Sequence, residues 1–139
     1  MLIVDANIVL RYLLLDNEEL AEKASQIIEN NNIFIPFEVI AEVVYVLEKV
    51  YRIERTEICR SIKELLEDEN IHTYDSDILN KALEIFRSKS IDFVDTLLCG
   101  YSLVRGDEVK TFDNKINKYI STEKEKSEKN ASENEITQD

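Results

Sequence analysis

Four short runs of apolar or strand-forming residues, LIV at 2–4, IFI at 33–35, IHTY at 71–74 and EVKTF at 108–112, punctuate a chain that otherwise reads in helical period. LIV alone could be a strand buried on both faces or a turn of buried helix. The recurrence of such runs after one or two helices each favours the strand. Few architectures satisfy that alternation: it predicts an α/β fold with three layers, α/β/α, around a short parallel sheet of about four or five strands. The first helix carries Ile8, Val9, Tyr12 and Leu13 on one face. A capping box of Asp16 and Glu19 opens a second over Asn17–Glu29. Pro36 suits the first turn of a third, through about Tyr51. Further helices are expected over Glu54–Asp68, over Ser76–Ser88, and after SIDF up to Gly106, a residue suited to a helix C-terminus.

At 139 residues with 44% hydrophobic content the chain can bury one core without staples, and residues 1–120 are expected to hold it. From Ser121 to Asp139, Glu, Lys, Ser and Asn displace nearly all apolar residues. Such a composition buries too little surface to offset its ordering entropy, so 121–139 is expected to be a disordered acidic and polar tail. No stretch reaches the roughly 20 apolar residues of a membrane span, and the N-terminus enters a strand without a charged leader. The expectation is a cytoplasmic protein with no membrane association. Cys59 and Cys99 lie far apart and outside any CxxC or CxxH pattern, which argues against a disulfide or a zinc site. Only two glycines are present, Gly100 and Gly106, which excludes phosphate-cradling and dinucleotide-binding glycine loops.

The net charge of −12 counts against an ordinary nucleic-acid binder, since affinity for phosphate usually comes from Lys and Arg. The tail holds six acids and three lysines, so −9 remains on residues 1–120. Clustered carboxylates can gather divalent cations that present positive charge to a phosphate, which makes the placement of the acids decisive. Four stand beside apolar segments. Asp5 follows LIV, Glu42 lies within FEVIAEVVYVL, Asp95 sits one turn into a strongly apolar helix, and Asp113 follows EVKTF. In an open parallel sheet Asp5 and Asp113 share the carboxyl edge, where ligands bind, and the helices leaving that edge can point Glu42 and Asp95 into the same crevice. Acids gathered without a basic partner repel one another, so the arrangement calls for a hard ion, Mg²⁺ or Mn²⁺. Two such ions about 4 Å apart can activate a water and stabilise the leaving oxygen of a phosphodiester. Asp92 has a competing reading as a helix N-cap, and Glu38 as a dipole partner facing solvent. Asn7 either caps the first helix or helps to hold Asp5 or a water on the metal. His72, the single histidine, reads as structural.

With these residues in view, the chain resembles the PIN-domain proteins and, within them, the VapC-type toxin ribonucleases of toxin–antitoxin pairs. The similarity runs over residues 1–120 and is carried by DANIVLRYLL at 5–14, IPFEVIAEVVYVLEKVY at 35–51, DFVDTLLCG at 92–100 and KTFDNK at 110–115. The resemblance implies an endoribonuclease that uses Mg²⁺ or Mn²⁺ and water attack on phosphorus. It assigns catalysis and metal binding to Asp5, Glu42, Asp95 and Asp113, with Asn7 and Asp92 as accessory residues. It also implies a homodimer and a protein antitoxin partner. Arg11, Lys110, Lys115 and Lys118 flank the implied site and are candidates for guiding RNA, with ordinary surface charge as the competing reading. Where the family often has Thr after the first Asp, this chain has Ala6.

Two other readings compete: a stand-alone PIN-fold nuclease of RNA processing, and a PIN-fold binding module whose acids no longer catalyse. A phosphatase of the haloacid-dehalogenase type also starts with a strand and an aspartate, but its DxDxT pattern needs an acid where Asn7 stands.

Overall fold

The computed structural model describes residues 1–137. Three two-residue strands, β1 (Leu2–Ile3), β2 (Ile33–Phe34) and β3 (Ile71–His72), form a parallel sheet in the order β1-β2-β3. The register pairs Leu2 with Ile33 and Ile33 with Ile71, then Ile3 with Phe34 and Phe34 with His72. Seven helices complete the α/β/α layering: α1 (Ala6–Leu14), α2 (Glu18–Glu29), α3 (Phe37–Lys49), α4 (Arg55–Glu67), α5 (Ser76–Ser88), α6 (Phe93–Arg105) and α7 (Asn114–Thr137). Among the described residues no helix is long and apolar enough to cross a membrane.

Most helix boundaries follow the sequence signals. Gly106 ends α6 with φ of 75°, a left-handed conformation that glycine adopts without a Cβ penalty. The start of α2 differs from the expected capping box. Asn17 is the cap and accepts from the Leu20 amide at 3.0 Å, while Asp16 pairs with Arg11 at 2.9 Å and accepts from the Tyr51 hydroxyl. Asp16 is thus drawn one residue out of the cap by a cationic partner.

Two clusters make the core. The larger packs Ile33 and Ile35 of the sheet region against Ile40, Val43 and Leu47 of α3, Ile58 and Ile62 of α4, and Leu79, Leu83 and Phe86 of α5. The smaller joins Ile85, Ile91 and Cys99 to Ile116 and Ile120, which fixes the start of α7 against α5 and α6. Helices α5 and α6 approach closely at Gly100, where a Cβ would meet the Ile78 carbonyl oxygen at 2.9 Å.

The sheet has fewer strands than expected. EVKTF, read as the last strand, lies outside it. Val109 packs against the smaller cluster instead, and Phe112 is fully exposed. The outer edge of β1 is therefore open, with Leu2 45% and Ile3 70% exposed.

The segment from Ser121, expected from its composition to be disordered, continues α7 as helix to Thr137; the last two residues of that segment fall outside the described ones. Its helix grows from a turn already anchored by Ile116 and Ile120, so the costly nucleation step is supplied by tertiary packing. Glu, Lys and Ala propagate helix well, and Lys126 pairs with Glu123 one turn back at 3.3 Å.

Candidate active site

The loop between α5 and α6 sets the positions of two of the acids. One guanidinium holds it: Arg55, at the start of α4, donates from Nη1 to the carbonyls of Phe86, Lys89 and Ile91 at 3.2, 3.0 and 2.8 Å. Its Nε donates to Glu48 Oε2 at 2.7 Å, and its guanidinium carbon lies 3.9 Å from the centre of the Phe86 ring. Nothing in the sequence marks this arginine, because the three carbonyls it gathers lie more than 30 residues away.

Immediately after the strapped loop, Asp92 occupies the N-cap position of α6, but its side chain makes no cap hydrogen bond. Its exposed carboxylate lines a hollow of about 150 Å³ together with Asp95, Asp113, Ser90 and Lys115. Asp92 and Asp95 also line a larger groove of about 490 Å³ toward Tyr45, Glu48 and Lys49 of α3. Burial first, then the negative charges of Asp92 and Asp113, push the Asp95 carboxyl above its ordinary value. Asp95 in turn adds to the burial that pushes the Cys99 thiol up to about 11, so this cysteine stays a protonated core residue. Asp113 caps α7, where its Oδ1 accepts from the amides of Lys115 at 2.8 Å and Ile116 at 3.2 Å. Its Oδ2 takes no part in that cap.

Asp5 and Glu42 stand outside this hollow. Asp5 is the N-cap of α1 and accepts from the Ile8 amide at 3.0 Å, with Asn7 exposed on the first turn beside it. Glu42 is exposed on α3, so the apolar residues around it in sequence face the core on the other side of the helix. Glu38 and His72 are exposed as well. Of the basic candidates, Lys115 borders the hollow and its ammonium donates to the Ser90 carbonyl. Arg11 and Lys110 are engaged elsewhere, with Asp16 at 2.9 Å and Glu108 at 2.7 Å.

Three acids around one hollow, with a lysine at its rim, sit within a sheet-and-helix frame that a known family shares. The family model for the PIN domain matches residues 2–120. The chain belongs to the PIN-domain family. A VapC ribonuclease of Aquifex aeolicus (strain VF5) is 31% identical over 80 residues, a match covering 58% of this chain and 58% of that relative. The matched portion of this PIN-domain chain thus spans little more than half of its relative's length.

Among the described residues no three His, Cys, Asp or Glu side chains form a ready cage for a metal ion. Mg²⁺ seldom needs one, since it is usually bound through one or two carboxylates and completes its octahedron with water and phosphate oxygens. Asp92, Asp95 and Asp113 offer only hard oxygen donors, and burial followed by the charges of the other two already raises the Asp95 carboxyl. The donor set therefore fits a hard divalent cation and does not fit zinc.

Proposed function

We propose that this PIN-domain chain is an endoribonuclease that depends on Mg²⁺ or Mn²⁺, the toxin of a toxin–antitoxin pair, acting as a cytoplasmic homodimer silenced by a protein antitoxin. Family membership and the relative's name as a VapC ribonuclease support the reaction class. The observation that carries it is the raised carboxyl of Asp95 between Asp92 and Asp113 in one hollow. Perturbed groups of this kind, facing a concavity, are the usual mark of a reaction centre. Tyr45 on α3 and Val50 just after it, 63% and 64% exposed, supply apolar surface for a second copy. The nuclease unit is proposed to end near Ile120, whose side chain is buried.

In this reading Asp95 and Asp92 hold the principal ion and Asp113 orients the attacking water, while Asp5, Glu42 and the amide of Asn7, which lie outside the hollow, act as accessory groups. A bound divalent ion supplies positive charge for the scissile phosphate and lowers the pKa of a nearby water, as in two-metal hydrolases. Asp113, which does not hold the principal ion in this reading, would take the proton from that water as its oxygen bonds to phosphorus and the bond from phosphorus to the leaving oxygen breaks. Lys115 stands at the rim to meet a phosphate oxygen.

Purified protein given single-stranded RNA and Mn²⁺ is expected to cleave it, to stop on addition of EDTA, and to resume when Mn²⁺ is restored in excess. RNA left intact in both Mg²⁺ and Mn²⁺ by a folded chain would remove this function.

A further inference from the structure

On the far side of Lys115 from the acid hollow lies a groove of about 350 Å³ between the loop after α5 and the first turns of α7. Lys89, Lys115, Lys118 and Lys126 line it, with Ile91 and Tyr119 forming an apolar wall. In a chain of net charge −12 with 17 basic residues in all, four lysines around one groove are a marked local reversal of sign. Its single acid, Glu123, is paired with Lys126 at 3.3 Å. Among the described residues Lys89, Lys115 and Lys118 form no ion pair, so their charge is available to an outside anion. The groove shares Ser90, Ile91 and Lys115 with the acid hollow, so the positive and the negative linings are neighbours.

We propose that this lysine groove holds the backbone of the single-stranded RNA on one side of the cleaved bond, with phosphates on Lys89 and Lys118 and a base against Tyr119. The identity of the polyanion rests on the nuclease reading; the groove itself rests on its lysines. A cation-lined groove with an aromatic wall is the usual platform for a single strand, because phosphate contacts and stacking are both tolerant of sequence. Lys115 belongs to both hollows and sets the spacing between the held phosphate and the acids. The negative body then works in favour of register, since it leaves a polyanion one attractive approach to the carboxylates.

Binding of a short single-stranded RNA in EDTA separates this from catalysis. Lys89→Ala/Lys118→Ala is expected to weaken binding on the order of tenfold, to a similar extent for every sequence tried. The slope of log affinity against log salt is expected to flatten by about 1.4, the loss of two phosphate contacts on a single strand. Arginine at both positions should restore binding, and Lys63→Ala on α4 should leave it unchanged. Unaltered affinity and slope in the double variant, or no RNA binding by the wild type, overturns the groove. Lysine-dependent binding by a chain that never cleaves RNA supports the groove and removes the nuclease reading instead.

Discussion

Replacing Asp95 by Asn is expected to lower RNA cleavage by about 100-fold or more, since losing even an outer-shell partner of a metal ion costs about 10- to 100-fold, and at neutral pH to make the fold more stable. Both effects come from one cause. Asp95 is half-buried one turn into α6, and burial together with Asp92 and Asp113 raises its carboxyl above the ordinary 3.8. The native state therefore binds the Asp95 proton more tightly than the unfolded chain does. Stability from the protonated form is complete below the unfolded value and is lost as pH rises through the folded one. At neutral pH the wild type carries the whole cost of that charge, and asparagine, of the same shape, carries none. Urea midpoints measured in EDTA should favour Asp95→Asn at pH 7 and converge as the pH falls below 3.8. A variant less stable than wild type at neutral pH, with cleavage intact, would show that Asp95 is a structural acid. Stability given up at a reactive position is a common trade in enzymes.

The second large effect is on folding. Arg55→Ala is expected to cost about 2–4 kcal/mol, because it removes several charge-assisted hydrogen bonds at once and leaves their acceptors partly buried. The three carbonyls it gathers lie at and beyond the C-terminus of α5, where the helix dipole places negative partial charge. Glu48 would lose its closest cationic partner, and the Phe86 ring its stacked guanidinium. Arg55→Lys should recover only part of this, since an ammonium cannot present the same fork of donors. Because the strapped loop leads into Asp92, a chain that survives Arg55→Ala is expected to lose cleavage beyond its loss of folded population. Chemical denaturation combined with activity measured at low temperature separates the two contributions. A midpoint within experimental error of wild type would contradict the strap.

Much of the frame was legible because its signals are local. Apolar runs followed by helix-period segments place β1, β2, β3 and six of the helices, and Gly106 marks the end of α6 through a backbone angle that glycine alone adopts freely. The elements that departed from expectation did so through distant partners. EVKTF has a strand's pattern, yet Val109 is taken by the cluster around Ile85 and Cys99, and Asp113 is committed to capping α7. The tail has the composition of a disordered segment, but Ile116 and Ile120 give it an anchored turn from which to continue.

The acids divide in the same way. Asp95 could be singled out from one strongly apolar helix, and the structure surrounds it with Asp92 and Asp113. The apolar surroundings of Glu42 in sequence wrap the opposite face of α3, and periodicity gave no means of telling a rim position from a core one at that point. Asp92 had the credentials of a helix cap and does occupy that position, but its side chain makes no cap hydrogen bond and lines the hollow. Lys118 was among the basic candidates for guiding RNA, whereas Lys89 sits in an unremarkable stretch. Their relation to Lys115 arises when α7 folds back along the loop after α5.

The proposal that Asp92, Asp95 and Asp113 share one cation is tested most directly by calorimetric titration of Mn²⁺ into the metal-free protein without RNA. Saturable heat from the wild type that disappears in Asp95→Asn and weakens in Asp92→Asn and Asp113→Asn is the expected result. Identical heats from the wild type and Asp95→Asn, or none from either while RNA is still cleaved, would place the metal, and the chemistry with it, somewhere other than this hollow.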